Sequence, residues 1–327
     1  MQNNYKIEEF IPDENNFDLE RKRVLQLASA QYEDGSFLYS FKLGELDIFP
    51  LWFIHCTIAY IKETGDFDIL EEMQPFSRKS HVLQPSRQFR STSYKPVESP
   101  LYTHLERAYD LFYRHLSACS PSLPENNIAA GLFSFTTREY VKLNHYINQQ
   151  YKAALAEKHL KQIAAPLDMI FFEDKWLPHL QTFLDEKTCR CNPAPGCNKC
   201  YCGEINQFIY LHMISALSLF CRKAADEYWA KAAETWGSKA VSEWILGIKP
   251  GFEGLFVDPC IPDAFISYEV KRYFRNAIYA ISILNPAHTP VDVKKLVVDN
   301  IEYLGNLLPN FADGKTHTVE VTMGTFC

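Results

Sequence analysis

Past Trp244 the hydrophobic period of this chain changes, and that change limits it to folds with a helical body followed by a β domain. Upstream, apolar residues recur at helical spacing. In residues 17–33, Leu19, Val24, Leu25 and Leu27 fall on one face and the charges on the other, and Asp34-Gly35 ends the segment as a turn. Pro50 opens a second helix that Gly65 closes. Residues 66–75 read as a short helix with Asp66 as N-cap. Further helices are predicted over 100–117, 126–135, 137–165, 168–188, 205–223, 224–235 and 237–246. Nearly unbroken helices with short connections suggest helical hairpins, as in an (α/α) toroid or part of one. Downstream, GLFVD, YEVKRYF, AIYAISIL, KKLVV and HTVEVTM are short and rich in β-formers. Tyr279, Ile281 and Ile283 alternate with Ile278, Ala280 and Ser282, while Val319, Val321 and Met323 share a face. Asp313-Gly314 supplies a turn, so this part reads as a small antiparallel β-sandwich. The expected fold class is mainly α: a partial toroid-like helical domain over 1–246, then a β-sandwich domain over 247–327.

Two segments interrupt the helical pattern. Residues 77–100 are rich in Ser, Arg and Pro and read as a locally basic loop, a solvated linker before anything else. Residues 188–203 hold Cys189, Cys191, Cys197, Cys200 and Cys202 among prolines and a glycine. Cys197-x-x-Cys200 has zinc-knuckle spacing, and a second pair would complete four thiolates, although Cys189-x-Cys191 is tighter than the standard gap. A structural zinc site, free thiols in an inserted loop and a redox role all remain open for this cluster. Cys56, Cys119, Cys221 and Cys260 read as ordinary core or strand residues.

A net charge of −7 argues against non-specific nucleic-acid binding. No apolar run approaches the roughly 20 residues that span a bilayer, and the polar, acidic first residues lack the layout of a secretory signal. The expected location is therefore the cytoplasm, with neither membrane nor nucleic-acid partner.

The string WILGIKPGFEGLFVDPCIP, followed by YEVKRYFRNAIYAISILNPAH, LVVDN, GNLLP and DGKTHTVEVTMG, resembles the C-terminal region of the cellobiose and cellodextrin phosphorylases of glycoside hydrolase family 94. Upstream pieces match in the same order: QYEDGS (31–36), residues 50–76, HLERAYDLFYRHL (104–116), AAGLF with REYVKL (129–143), and AADEYWAKA with WGSKAVSEWILG (224–247). The resemblance implies an (α/α) toroid catalytic domain followed by a small β domain, and inverting phosphorolysis of a β-glucoside with inorganic phosphate as co-substrate. It implies no further cofactor, and it makes a homodimer plausible. The chain reads as a truncated and degenerate relative.

Inversion needs an acid for the leaving oxygen and a nucleophile on the opposite face of the ring. The family's acid lies in a DWND-type loop after a GLP segment. Here Ser122-Leu123-Pro124 runs directly into Glu125-Asn126-Asn127 and the loop is missing. Glu125 is the nearest carboxylate and the candidate replacement acid, although it aligns better with a Glu further along the family pattern. The family's sugar-clamping NDDPLW stretch reads LGELDIFPLW, so Ile48 and Phe49 stand where carboxylates would bind hydroxyls and Asp47 is shifted. The Thr-Gly-Thr phosphate loop is replaced by Ala232, Ala233, Glu234 and Thr235, and a carboxylate there repels phosphate. The His-Asn-Asn segment reads Phe208, Ile209, Tyr210 and Leu211, and nearby His212 reads as a core residue. Gln31, Asp34, Asp47 and Trp52 are the candidates for a residual groove that would take a β-glucoside or glucose 1-phosphate; alternatively, Asp34 makes a turn with Gly35 and Trp52 fills the core. The expected function is that of a carbohydrate-active, phosphorylase-like protein with impaired catalysis, or of a non-catalytic carbohydrate-binding or interaction module stabilised by zinc.

Overall fold

In a computed structural model of the chain, the described residues are 4–10, 15–78, 97–119, 124–172, 205, 243, 246–261, 265–289 and 291–324. Residues 173–188 of the helix expected over 168–188, nearly all of those expected over 205–223, 224–235 and 237–246, most of the 77–100 loop and the cysteine cluster fall outside them. In chain order, strand β1 (Asn4–Phe10) precedes helix α1 (Asn15–Ser29), strands β2 (Lys42–Leu43) and β3 (Leu46–Asp47), and helix α2 (Phe49–Thr64). A 3-10 turn over Asp68–Glu71 follows, then β4 (Met73–Pro75), β5 (Glu98–Pro100), α3 (Leu101–Ala118), α4 (Pro124–Tyr146) and α5 (Gln150–Phe172). The remaining strands are β6 (Ile248–Pro250), β7 (Leu255–Val257), β8 (Ser267–Phe274), β9 (Ala277–Leu284), β10 (Val293–Val298), β11 (Ile301–Tyr303), β12 (Leu307–Leu308) and β13 (Thr316–Met323). The described residues thus divide between helix and strand, and the chain is not plainly mainly α. No helix among them is long and apolar enough to cross a membrane.

Two compact units emerge, and the division falls inside α2. One unit comprises Asp18–Ile58 and Phe67–Ile209. Its core is built by α2, which is apolar all round and buries Leu51, Trp52, Phe53 and Ile54, and by the amphipathic α3, which buries Leu101, Leu105, Ala108 and Phe112. α1 stops at Ser29, earlier than the pattern suggested, because the QYEDGS segment folds back: Gln31 bridges Phe37, and Tyr32 N–H donates to Ser36 O at 2.7 Å. α4 and α5 break at residues 147–149 and not at 136. Asn148 takes a left-handed φ of 61°, and Gln149 N–H donates to Asn144 O. Of the helix expected over 66–75 only the 3-10 turn Asp68–Glu71 forms; Met73–Pro75 is extended and pairs antiparallel with Glu98–Pro100, the end of the expected loop, which gives its backbone groups cross-strand partners.

The other unit comprises Met1–Phe17, Ala59–Asp66 and Tyr210–Cys327. Its main sheet runs β1-β8-β9-β13-β10-β11, beside a three-stranded sheet β12-β7-β6. Pairing is mixed and not purely antiparallel, since β1 runs parallel to β8 and β13 parallel to β9. Alternation marks a strand but carries no direction, so the sequence left this open. Tyr268, Val270, Tyr279, Ile281, Ile283, Leu296, Val319 and Val321 share one core with Leu246, Ile248, Leu255, Val257 and Leu308 of the smaller sheet side. The β8–β9 turn places Arg275 and Asn276 at φ of 45° and 60°, the left-handed pair of a tight hairpin.

Arg272 falls in the inward register between Val270 and Phe274 and is 2% exposed. Its Nη2 donates to both oxygens of Glu63, at 2.6 and 2.8 Å. Arg275 Nη2 donates to Lys62 O at 2.9 Å and to Gly251 O at 3.0 Å, meeting the carbonyl end of α2 where positive charge is favoured. Gly65 at φ 74° donates to Ile61 O and ends the helix as expected. Asp66 does not cap the next turn; its carboxylate accepts from Tyr60 OH at 2.7 Å. Removing one member of a buried pair leaves the other charge without compensation. Glu63→Ala is therefore expected to lower unfolding free energy by about 3 kcal/mol or more, read as a fall in the urea midpoint, with Glu63→Gln milder.

Candidate functional site

The segment that would clamp a sugar by family resemblance folds as a closed loop. Asp47 Oδ1 accepts Phe41 N–H at 2.9 Å and Phe49 N–H at 3.1 Å, and Ile48 N–H donates to Phe41 O at 2.9 Å. β2 and β3 form the hairpin between these points. The carboxylate meets an otherwise unpaired N–H of the first turn of α2. Burial pushes its pKa up from the ordinary aspartate value, opposed by the two N–H bonds and by Lys42. Closing the loop drives Ile48 (0% exposed) and Phe49 (1%) into the core. Phe49 packs 5.2 Å from Phe37 and edge-on to Trp52 at 5.1 Å between ring centroids.

Gln31 and Trp52 are also interior. Gln31 is fully buried; its Nε2 donates to Gly35 O and His104 O, and its Oε1 lies 2.8 Å from His104 Nδ1. Burial lowers the pKa of His104 to about 4, so the ring is neutral near pH 7. Trp52 is 2% exposed, and the Arg23 guanidinium lies 5.8 Å from its ring centroid. Of the sequence candidates, Asp34 lines a cavity. Glu125 is the second residue of α4, and its side chain lies outside the described residues, as do Cys189, Cys191, Cys197, Cys200, Cys202 and the 208–211 and 232–235 segments. Among the described residues no group of three or more His, Cys, Asp or Glu is arranged to hold a metal.

That cavity is open to solvent, about 360 Å³ in volume, and lined by Glu33, Asp34, Arg107, Asp110, Tyr113 and Arg114. The first two come from the QYEDGS turn, where Asp34 Oδ1 accepts from Ser36 N–H and Oγ at 3.0 and 2.6 Å. The other four come from successive turns of one face of α3. The turn is pressed onto the helix. Gly35 has φ 94°, and a Cβ there would stand 2.4 Å from Arg107 O. Arg107 Nη1 donates to Glu33 O, and its guanidinium lies 4.4 Å from the Phe76 ring centroid. Tyr113 stacks on His159 at 3.6 Å and donates from its OH to Gln162 Oε1 at 2.7 Å. Carboxylates and guanidiniums together line an opening to solvent, a donor–acceptor mixture suited to hydroxyl groups. The four α3 residues were missed as site candidates. The signal for them was the 107, 110, 113, 114 spacing on the polar side of a helix whose other side is apolar.

No protein-family model matches the chain. It is 36% identical over 95 residues to the solabiose phosphorylase of Paenibacillus borealis, a match covering 29% of this chain and 12% of that protein. It is 37% identical over 100 residues to the N,N'-diacetylchitobiose phosphorylase of Vibrio proteolyticus, covering 31% and 12%. It is 36% identical over 81 residues to the 3-O-beta-D-glucopyranosyl-beta-D-glucuronide phosphorylase of Paenibacillus borealis, covering 25% and 10%. The chain is a partial relative of the family 94 glycoside phosphorylases. The matched stretches span about an eighth or less of those relatives' length. In this phosphorylase relative, Asp47 has a structural task visible in its hydrogen bonds. Asp47→Ala is expected to cost about 1 kcal/mol, the usual loss for a helix-start acceptor, measured by thermal or urea unfolding. Asp47→Asn, which keeps one acceptor oxygen, is expected to lose less.

Proposed function

We propose that this chain is a carbohydrate-directed, phosphorylase-like protein in which phosphorolysis is lost and weak sugar holding remains. The observation that carries the reading is the burial of Ile48 and Phe49 at the family's sugar-clamping positions, with the Asp47 carboxylate committed to two backbone N–H groups. An apolar, water-free pair cannot supply the hydrogen bonds that a buried sugar requires. The sequence substitutions at the acid loop and the phosphate loop point the same way: a glycosyl transfer to phosphate needs a proton for the leaving oxygen and a cationic or N–H cradle for the dianion.

Weak holding is assigned to the cavity over α3. Glu33, Asp34 and Asp110 accept hydrogen bonds, Arg107 and Arg114 donate them, and Tyr113 supplies apolar surface. Such a rim favours a hydroxylated, uncharged ligand over phosphate, because three carboxylates outnumber two guanidiniums.

The test is direct. Purified protein is incubated with inorganic phosphate and, separately, cellobiose, N,N'-diacetylchitobiose or solabiose, and sugar 1-phosphate is measured. No product above the protein-free background is expected. Phosphate-dependent product from any of the three would overturn the loss of phosphorolysis.

A further inference from the structure

The last strand carries a charge arrangement unconnected with sugar binding. His317, the second residue of β13, is 7% exposed, and both of its ring nitrogens face carboxylates. Nδ1 lies 2.6 Å from Asp299 Oδ2, and Nε2 lies 3.1 Å from Asp313 Oδ1. An ionised carboxylate only accepts hydrogen bonds, and a neutral imidazole has one N–H to give. Both contacts are satisfied together only when the ring carries two protons.

The surroundings fix the ring in this position. Phe311 stacks on it at 3.7 Å with planes 10° apart, and the Tyr279 ring of β9 lies 6.1 Å away between centroids. The Tyr279 hydroxyl is directed elsewhere, donating to Pro309 O at 2.6 Å. Asp299 sits in the β10–β11 turn, and its Oδ1 accepts Thr318 N–H at 2.9 Å. Asp313 sits in the loop before β13; its Oδ1 also accepts Lys315 N–H at 3.0 Å, and its Oδ2 lies 3.4 Å from Lys315 Nζ. The charged groups around the ring are therefore Asp299, Asp313 and, beyond Asp313, Lys315. The side chains of both aspartates are partly open to water, 43% and 31% exposed. Both backbones are unusual as well: Asp299 and Asn300 have φ of 48° and 66°, and Ala312 and Gly314 have φ of 50° and 73°. Turns of this kind persist only while neighbouring contacts hold them.

We propose that His317, gripped as an imidazolium between Asp299 and Asp313, is a pH-sensitive clamp that holds the 309–315 loop onto β13 and releases it when the ring loses a proton. The neutral ring keeps its shorter contact, Nδ1–H to Asp299. Nε2 then presents a lone pair to the Asp313 carboxylate, and attraction becomes repulsion. The Asp299 turn stays in place, since Asp299 N–H donates to Thr318 O at 3.0 Å and its carboxylate still accepts Thr318 N–H.

Titration behaviour agrees in sign. Burial works against charge on His317, but the hydrogen bonds to Asp299 and Asp313 outweigh it and raise its pKa above the ordinary value. The same bonds lower Asp299, and lower Asp313 to about 2. A raised histidine pKa gives stability that is fully present below about pH 6.5 and is lost as pH rises through the folded value. Depressed carboxyl pKa values give stability present above about pH 3.9 and lost as pH falls towards their folded values. The clamp is thus closed across this whole window and opens as pH rises through the folded value of His317 or falls through those of the two aspartates.

The experiment is a proton–nitrogen NMR titration of the histidine rings in the full chain, with His317 assigned through Asp313→Asn as well as through its own side-chain correlations. His317 is expected to titrate above about 6.5, with both nitrogens protonated at the start. The amide protection factor of Gly314, whose N–H donates to Asn276 O, is expected to fall severalfold across the same titration. In Asp313→Asn the His317 midpoint moves down and the Gly314 change disappears. A His317 midpoint at or below about 6.5, or unchanged Gly314 protection through the wild-type titration, would overturn the proposal.

Discussion

One carboxylate governs the stretch on which the functional reading rests. Asp47 ties Phe41 N–H to Phe49 N–H and so closes the loop that carries β2 and β3 into α2. Once it is closed, Ile48 becomes the residue whose carbonyl starts the helix, accepting Trp52 N–H at 3.1 Å, and its side chain has no route to solvent. Phe49 follows it into an aromatic group with Phe37 and Trp52. A carboxylate at either position would be desolvated without a partner, a cost of several kcal/mol. The local sequence therefore supports a rigid core instead of a polar clamp.

At the other end of α2 a different economy holds. The helix finishes at Gly65, its last carbonyls meet Arg275, and Glu63 answers Arg272. An arginine in the inward register of β8 is tolerable because its charge is matched where water is excluded. Arg275 reaches three carbonyls because the tight β8–β9 turn throws it out of the strand register. Both ends of α2 are thus held by side chains acting on backbone groups, which intrinsic helix preference alone does not supply.

Much of this was legible beforehand, and the failures have physical causes. Gly65 as a stop, Pro50 as a start and the inward sets Tyr279–Ile281–Ile283 and Val319–Val321–Met323 followed from periodicity and backbone preference. The break at Asn148 was missed because the surrounding residues favour helix, and one left-handed asparagine gives little composition signal. β1 was missed because its residues gain strand character only by pairing with β8, a partner more than 250 residues away. Parallel pairing of β9 with β13 could not be read, since alternation is blind to direction. At the site, Trp52 is a core ring, Asp34 makes the turn and also lines the α3 cavity, and Gln31 is engaged with His104 through a contact 73 residues apart in sequence. The α3 cavity residues were invisible one by one, because a charged helix face usually means only solvent.

On the proposed reading, packing at Ile48 and Phe49 stands where the family resemblance places polar sugar contacts. The most direct measurement is isothermal titration of the full chain with glucose 1-phosphate, a ligand that needs the sugar clamp and the anion cradle together. No saturable heat is expected up to millimolar ligand. Saturable binding that inorganic phosphate competes away would contradict it.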